Sequence, residues 1–467
     1  MTSDDRQNQK SLTREIVKIG LPSFLETLFT TFVSVIDSKM VSAVGVTAIS
    51  AVSVTNQPRL FVYSIFFAMN TVTTSLVAKY HGKNDQDTAN RIFDHAIKLV
   101  LILSIVLSIL AVLLAQPIMI LFSGQADTLE DSITYFQIVM SGMIFNLVFL
   151  EINAALRGFG KTRLTFLDNV LACAVNILFN YLLIEGHWGF PALGIAGAAV
   201  ATVLGNTAAC ILSIIFVCSR KLFTNIPYCI SKRYRMTKES LSELLTMTKS
   251  CAVDNLAMRA TLLIISGITA RIGSFQMAVY SIGNYLLNVN FALGTGLQTS
   301  AVTLIGRSYG EGNTKRLRDY RAAILKLGMT CAAVLAVIIM AGGGAFFRFF
   351  SDEADFVRTG RLSCLFIGVI AIFQTLKFIN NGCLQGVGMM KEVMFCSIFA
   401  FSCVNLVLVA LLVLVFRWGI WGVWTGTLVS QAAQAFLLNR YIMKTPVFSG
   451  NIKEDSLSEA SGPENTN

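Results

Sequence analysis

The chain has 467 residues, of which 54% are hydrophobic and only 14% charged, with a net charge of +10. Soluble domains carry roughly 25% charged residues, so this composition excludes a soluble globular protein. The positive charge is concentrated in loops between apolar segments, which argues against a nucleic-acid footprint and fits attraction to an anionic inner leaflet.

Backbone groups in lipid must be bonded within their own structure, which leaves helices or closed barrels. Long apolar runs without two-residue alternation select helices. A polar segment, 1–13, comes first and lacks the short basic start of a signal peptide. The first span, 14–42, holds Pro22, Glu26, Asp37 and Lys39. Pro22 removes a backbone hydrogen bond, giving the helix a place to bend or shaping its packing. Asp37 lies about 33 Å beyond Glu15 at 1.5 Å per residue. There it is either a carboxylate wetted near the headgroups or a group facing a cavity. A charged Asp at mid-bilayer costs ~2.5–3.5 kcal/mol, and such groups usually carry function. Lys39 is a poor partner, because residues two apart on a helix point in different directions.

The second span, 47–78, contains Arg59 and ends in "LVAKYHG"; the third covers 92–115. The fourth, 132–156, holds Glu151 and Asn153, and "ALRGFGKT" leads into the fifth, 164–184. Asn176 and Asn180 stand four apart there and share a face. Thr202 lies in the sixth span, 193–217, completing an amino lobe over 14–217. A loop, 218–238, follows with Arg220, Lys221, Lys232, Arg233, Arg235 and Lys238. Six more spans, near 240–270, 275–306, 322–347, 362–382, 393–416 and 419–440, form a carboxyl lobe over 239–444. The seventh contains Asp254 and Arg259. In the tenth, Gln374, Lys377, Asn381 and Gln385 make a polar stripe on one helical face. The segment 445–467 is acidic and reads as a disordered cytoplasmic tail. Loops after even spans are basic, whereas Asp127, Glu130 and Asp131 follow the third and Asp352, Glu353 and Asp355 the ninth. The positive-inside rule then places both termini in the cytoplasm.

The two halves repeat each other. "LVAKYHGKND" at 76–85 and "LIGRSYGEGN" at 304–313 align at an offset of 228, which also pairs Glu26 with Asp254, Gly45 with Gly273 and Gly82 with Gly310. "ALRGFGKT" falls on "CLQGVGMM", and after a one-residue slip Asn176 meets Asn405. The fold expected is all-α: twelve transmembrane helices in two pseudo-symmetric six-helix lobes, a parallel repeat, around a central cavity.

With "GLPSFLETLFTTFVSVIDSKMVSAVG", "ALRGFGKT", "NILFNYLLIEGHWGFPALGIAGAAVAT" and the twin "LVAKYHG"/"LIGRSYG" signatures, the chain resembles the multidrug and toxic compound extrusion (MATE) family over about residues 14–440. The resemblance implies antiport coupled to H+ or Na+, in which the cation enters and a drug-like or metabolic compound leaves. It makes Asp37 the coupling acid, with Asn153, Asn176, Asn180 and Thr202 around it. Polar glue between helices is the alternative role for these four. Some branches of the family have Asp where this chain has Asn180, which leaves Asp37 the sole carboxylate expected at this site. In the carboxyl lobe Asp254 matches an acidic family position, while a second acid is replaced by Gln374. Lys377 either pairs with Asp254 or snorkels to the surface; Glu26, Asp254, Gln374, Lys377 and Asn381 are the candidate cavity residues.

Arg59, Arg259 and Lys377 make the interior basic, pointing to anionic or zwitterionic cargo, with Glu26 and Glu151 as candidate offsets. A lipid-linked oligosaccharide flippase of the same superfamily is the competing reading. Ten cysteines are scattered singly, the three histidines are isolated and no Walker motif occurs, so no enzyme activity, cofactor, metal or ATP is expected. The expected state is a monomer in the plasma membrane, among lipids, acting on a small organic substrate. In a cysteine-free background, Arg233→Cys is expected to react with an impermeant thiol reagent only from the cytoplasmic side, and Asp127→Cys only from outside. The opposite labelling of either refutes the twelve-span topology.

Overall fold

The computed structural model describes residues 3–123, 128–219, 222–234 and 238–449. The acidic turn at Asp127, parts of the basic loop (220–221 and 235–237) and the tail from 450 lie outside the described residues. The first half begins with α1 (Ser3–Val41), α2 (Val46–Gly82), α3 (Gln86–Leu113) and the short α4 (Ala115–Ser123). Because α1 starts at Ser3, the polar segment ahead of the first span is already helical. The fourth span is split into α5 (Leu129–Ser141) and α6 (Met143–Gly158), bent by 48°. The break falls at Gly142, where a Cβ would lie 2.5 Å from both Val203 methyl carbons. α7 (Thr162–Ile184) and α8 (Gly194–Val217) complete the set.

The basic loop contains a short helix, α9 (Ile226–Lys232), whose start is capped by the Asn225 side chain accepting the Tyr228 N–H. It is tied to the start of α3: Gln86 and Asn90 donate to the Phe223 carbonyl, and Tyr234 Oη donates to Asp87 at 2.8 Å. The second half runs through α10 (Lys238–Ile272), α11 (Ser274–Gly310), α12 (Thr314–Arg348) and α13 (Ala354–Gly386). Its eleventh span joins α14 (Met390–Cys396) and α15 (Asn405–Ala410) through a π-helical stretch, Ser397–Val404, with a second at Leu411–Val415. α16 (Ile420–Lys444) and α17 (Pro446–Ser449) end the described chain.

Nine of the described helices are long and apolar enough to cross a membrane, and the bent α5–α6 pair makes ten. α11 and α16 bring the number to twelve. At 37 and 25 residues they have the length, but residues such as Asn284, Asn288, Gln431 and Gln434 dilute their apolar character. The repeat is visible in the backbone. Gly45 and Gly273 have φ of +145° and +144°, Gly160 and Gly388 +78° and +86°, and Asn84 and Gly312 +56° and +68°. Side-chain-bearing residues seldom adopt such angles, and each pair is separated by the same 228 positions. The chain is an all-α membrane protein of two six-helix halves.

Two compact units divide the chain. Of the described residues, the amino-terminal unit comprises those in Leu21–Val77 and Gln86–Leu256; the carboxyl-terminal unit takes those up to Gly20, Ala78–Asp85 and those from Ala257 to 449. α1, at 39 residues, spans about 58 Å at 1.5 Å per residue, well beyond a ~30 Å hydrocarbon core. Its first turns pack within the carboxyl-terminal unit, where Ile16 and Ile19 join Leu297, Ala301 and Leu304 in one core. Ser300 donates to the Ile16 carbonyl at 3.1 Å. Along the second half of α1, hydroxyls return to their own helix. Thr27, Thr30, Thr31, Ser34 and Ser38 each donate to the carbonyl four residues back, at 2.8–3.1 Å.

Inside the carboxyl-terminal unit the two copies of the signature cross each other reciprocally. A Cβ on Gly82 would lie 2.0 Å from the Arg307 carbonyl oxygen, and one on Gly310 1.9 Å from the Lys79 carbonyl oxygen. Lys79 and Arg307 are themselves repeat mates. Both obstacles are backbone, which cannot rotate away as a side chain can. Gly310→Ala is therefore expected to destabilise the protein by ~2 kcal/mol or more, above the middle of the usual overpacking range. Gly342→Ala, with nothing within 4 Å, should stay within ~0.5 kcal/mol. Thermal unfolding of the purified protein checks both, and equal melting temperatures would disprove the crossing.

Candidate functional site

Asp37 occupies the penultimate turn of α1, half-buried, opposite two residues one turn apart on α7. Asn180 donates to Asp37 Oδ1 at 2.8 Å. With its amide nitrogen assigned by hydrogen-bond complementarity, Asn176 donates to Asp37 Oδ1 and Oδ2 at 2.7 and 3.1 Å, while its oxygen accepts the Thr202 N–H at 3.3 Å. An ionised carboxylate only accepts hydrogen bonds, and here it meets two amide donors that lipid could not provide. Asp37, Asn180 and Thr202 line a cavity of about 130 Å³ together with Ser34, Asn56 and Arg59. Arg59 is held by Asn56 Oδ1 at 2.6 Å. Among the described residues Lys39 forms no ion pair with Asp37, as the two-residue spacing requires.

Asn153 is not part of this group. It is fully buried on α6, and neither amide atom has a hydrogen-bond partner. Glu26 and Glu151 do not offset Arg59 either, correcting the sequence expectation. Glu26 is committed to Arg157 at 2.6 Å and accepts from Thr165 at 3.1 Å. Glu151, fully buried, accepts from the Asn70 amide at 2.7 Å. Sequence reasoning missed Arg157 as the partner of Glu26, and it missed Asp168, a buried acid on α7 that accepts from Ser213 at 2.8 Å. The available signal was an Asp interrupting the apolar run "LTFLDNVLACAV".

The carboxyl-terminal unit contains its own polar cavity, about 260 Å³, lined in part by Arg259, Gln374, Lys377, Asn405 and Gln431. The tenth-span stripe divides between roles. Gln374 accepts from Asn290 at 2.7 Å and Gln385 accepts from Gln298 at 2.7 Å, tying α13 to α11. The Lys377 ammonium lies 4.9 and 5.4 Å from the ring centres of Phe378 and Phe401. Asn381 is buried, with its side-chain oxygen unbonded. Asp254, on α10, belongs to the amino-terminal unit.

The family model described as MatE matches the chain twice, over residues 22–182 and 251–411. The chain belongs to the MatE family. It is thus a multi-pass membrane transporter of small compounds. The two matches, one in each half, are the internal repeat seen from outside. Among relatives, a "Probable multidrug resistance protein NorM" of Thermotoga maritima is 22% identical over 90% of each chain. Two solved structures share the fold. "Crystal structure of MATE in the bent conformation" has a TM-score of 0.85 at 18% identity, covering 99% of this chain and 100% of that one. A MOP superfamily transporter from Pyrococcus furiosus, described as having reverse polarity of its binding pocket, gives 0.84 at 18% identity over 97% of each chain.

Glu26 and Arg157 retain only 12% and 20% of their side-chain exposure, so removing one charge strands the other in a poorly solvated place. Glu26→Gln and Arg157→Met are each expected to cost about 3 kcal/mol, the lower end for broken buried pairs. The double variant should recover part of that loss. Thermal unfolding in a double-mutant cycle measures the coupling, and strictly additive losses would refute it.

Proposed function

We propose that this MatE transporter is a cation-coupled antiporter. H+ or Na+ moves down its gradient at Asp37 while a drug-like or metabolic organic compound is exported by alternating access. It would work as a monomer in the plasma membrane with cytoplasmic termini, the arrangement that the basic loops favour. The observation that carries this reading is the Asp37 carboxylate held by the Asn176 and Asn180 amides beside a cavity.

Coupling requires that one charge state of Asp37 favour a different transporter conformation from the other; a ligand equally favoured by both shifts nothing. The Asn176 and Asn180 contacts provide such a dependence. A proton on either oxygen turns an acceptor into a donor, so an amide donor must turn away or present its oxygen instead. Na+ would ask more, because both amides must present oxygens to it, with one carboxylate supplying the charge. Either change alters the contact between α1 and α7. One charge crossing 100 mV releases about 2.3 kcal/mol, enough to shift a two-state equilibrium substantially.

In proteoliposomes with pH and Na+ gradients imposed separately, Asp37→Asn is expected to insert and bind cargo but to lose uphill export. Asn180→Asp places a second carboxylate against the first and should increase Na+ dependence. Undiminished gradient-driven export by Asp37→Asn would make Asp37 a structural polar group and end the proposal.

A further inference from the structure

We infer that the groove between the start of α1 and the segment 323–330 of α12 holds an anionic diacyl phospholipid, which ties the two helices together. The groove encloses about 650 Å³ and belongs wholly to the carboxyl-terminal unit. Its described lining carries three cations, Lys10, Arg14 and Lys326, and no Asp or Glu. All three are exposed, and among the described residues none of their side chains makes a hydrogen bond or ion pair. Lys10 and Arg14 stand four apart on α1 and share a face, where like charges repel. Lys326 adds a third from the opposite wall. The nearby acid Glu15 is engaged elsewhere, accepting from Tyr320 and facing Arg316 at 3.7 Å. A phosphate diester brings the missing negative charge.

The depth of the charges selects a lipid over a soluble anion. Ser300 of α11 donates to the Ile16 carbonyl, and a Cβ on Gly328 would lie 2.9 Å from Leu297, one turn away on α11. Lys326 therefore stands level with the Val17 turn of α1, beyond Lys10 and Arg14. α1 and α12 carry the first and ninth spans and so run in the same direction. Helical side chains lean toward the N-terminus, and a long Lys stem lets the ammonium reach back to the headgroups. Basic pockets between membrane helices at this level suit phosphate head groups. Past them the wall turns apolar. Val17 and Leu327 line the groove, and the Lys326 face of α12 continues in four-residue steps through Thr330, Val334 and Ile338. Val334 and Ile338 are 57% and 60% exposed. Lys326 to Ile338 is about 18 Å at 1.5 Å per residue, slightly more than one leaflet of a ~30 Å hydrocarbon core. A soluble anion would use only the charged end; a phospholipid uses both.

Native mass spectrometry of the delipidated full-length protein tests this with dioleoyl phosphatidylglycerol and dioleoyl phosphatidylcholine offered together. The two share their chains and differ in net charge. The wild type is expected to retain the anionic lipid preferentially. Removing one charge, as in Arg14→Gln, should lower that preference about fivefold, the equivalent of ~1 kcal/mol per basic residue at a membrane surface. Lys10→Gln, Arg14→Gln and Lys326→Gln combined should abolish it. The charge-keeping set Lys10→Arg, Arg14→Lys and Lys326→Arg should retain it, which excludes misfolding as the cause. Neutralising three exposed cations elsewhere, Lys315, Arg358 and Arg440, should leave it largely unchanged. No preference in the wild type, an equal loss from that control set, or a preference that survives in the neutralised triple variant overturns the inference. Glycerol phosphate, which has the head group's charge and no chains, should fail to displace the lipid; displacement at equal concentration assigns the groove to soluble anions and refutes the lipid. Binding needs neither gradient nor cargo, so the outcome is independent of the antiporter reading.

Discussion

A polar atom inside the hydrocarbon layer has no water to bond to, so every such atom must find its partner within the protein. That constraint selects helices, and it governs how the remaining polar side chains are used. Asp37 is met by amides on α7, Glu26 by a guanidinium on α6, and Gln385 by a second glutamine on α11. Each contact also fixes which helices are neighbours. The exceptions are then informative. Among the exceptions in the described residues, Asn405 and Gln431 each keep a buried oxygen without a hydrogen-bond partner, and both line one cavity.

Duplication adds an economy of its own. Because the second half repeats the turns of the first, positions that demand special backbone geometry occur in pairs. Where the copies cross, glycine must appear in both, since Gly82 and Gly310 each make room for the other copy's carbonyl. The surroundings of matched residues differ between the copies all the same. Asn176 touches an acid, while its repeat mate Asn405 looks into a cavity bordered by cations.

The helices, the repeat and the Asp37 cluster were legible in the sequence for different reasons. Apolar runs announce helices directly, and a fixed offset announces a repeat. Asn176 and Asn180 were readable because four-residue spacing forces a shared face, and the family resemblance named the acid they meet. The partner of Glu26 was not readable, because Arg157 is 131 positions away and nothing local marks the pair. Asn153 was named by analogy, and no hydrogen bond of its amide joins it to the Asp37 group. The bend at Gly142 also escaped, since it depends on Val203 of another helix. Spacing reports what one helix presents, and only packing reports what it meets.

The hydroxyls of α1 from Thr30 to Ser38 return their hydrogen bonds to the carbonyls one turn behind them. Such back-bonding softens a helix and favours curvature, and Pro22 has already removed one rung below it. It also makes this stretch self-sufficient. A hydroxyl satisfied by its own helix does not bind that helix to any neighbour, so α1 can turn or slide against apolar surroundings without stranding a polar atom. Of the polar side chains from Thr30 to Ser38, only Asp37 is latched to another helix by a hydrogen bond among those described. Beyond the Glu26–Arg157 pair, the last third of the rod is greased and held to its neighbours by one ionisable point, and that stretch is free to move when the point lets go.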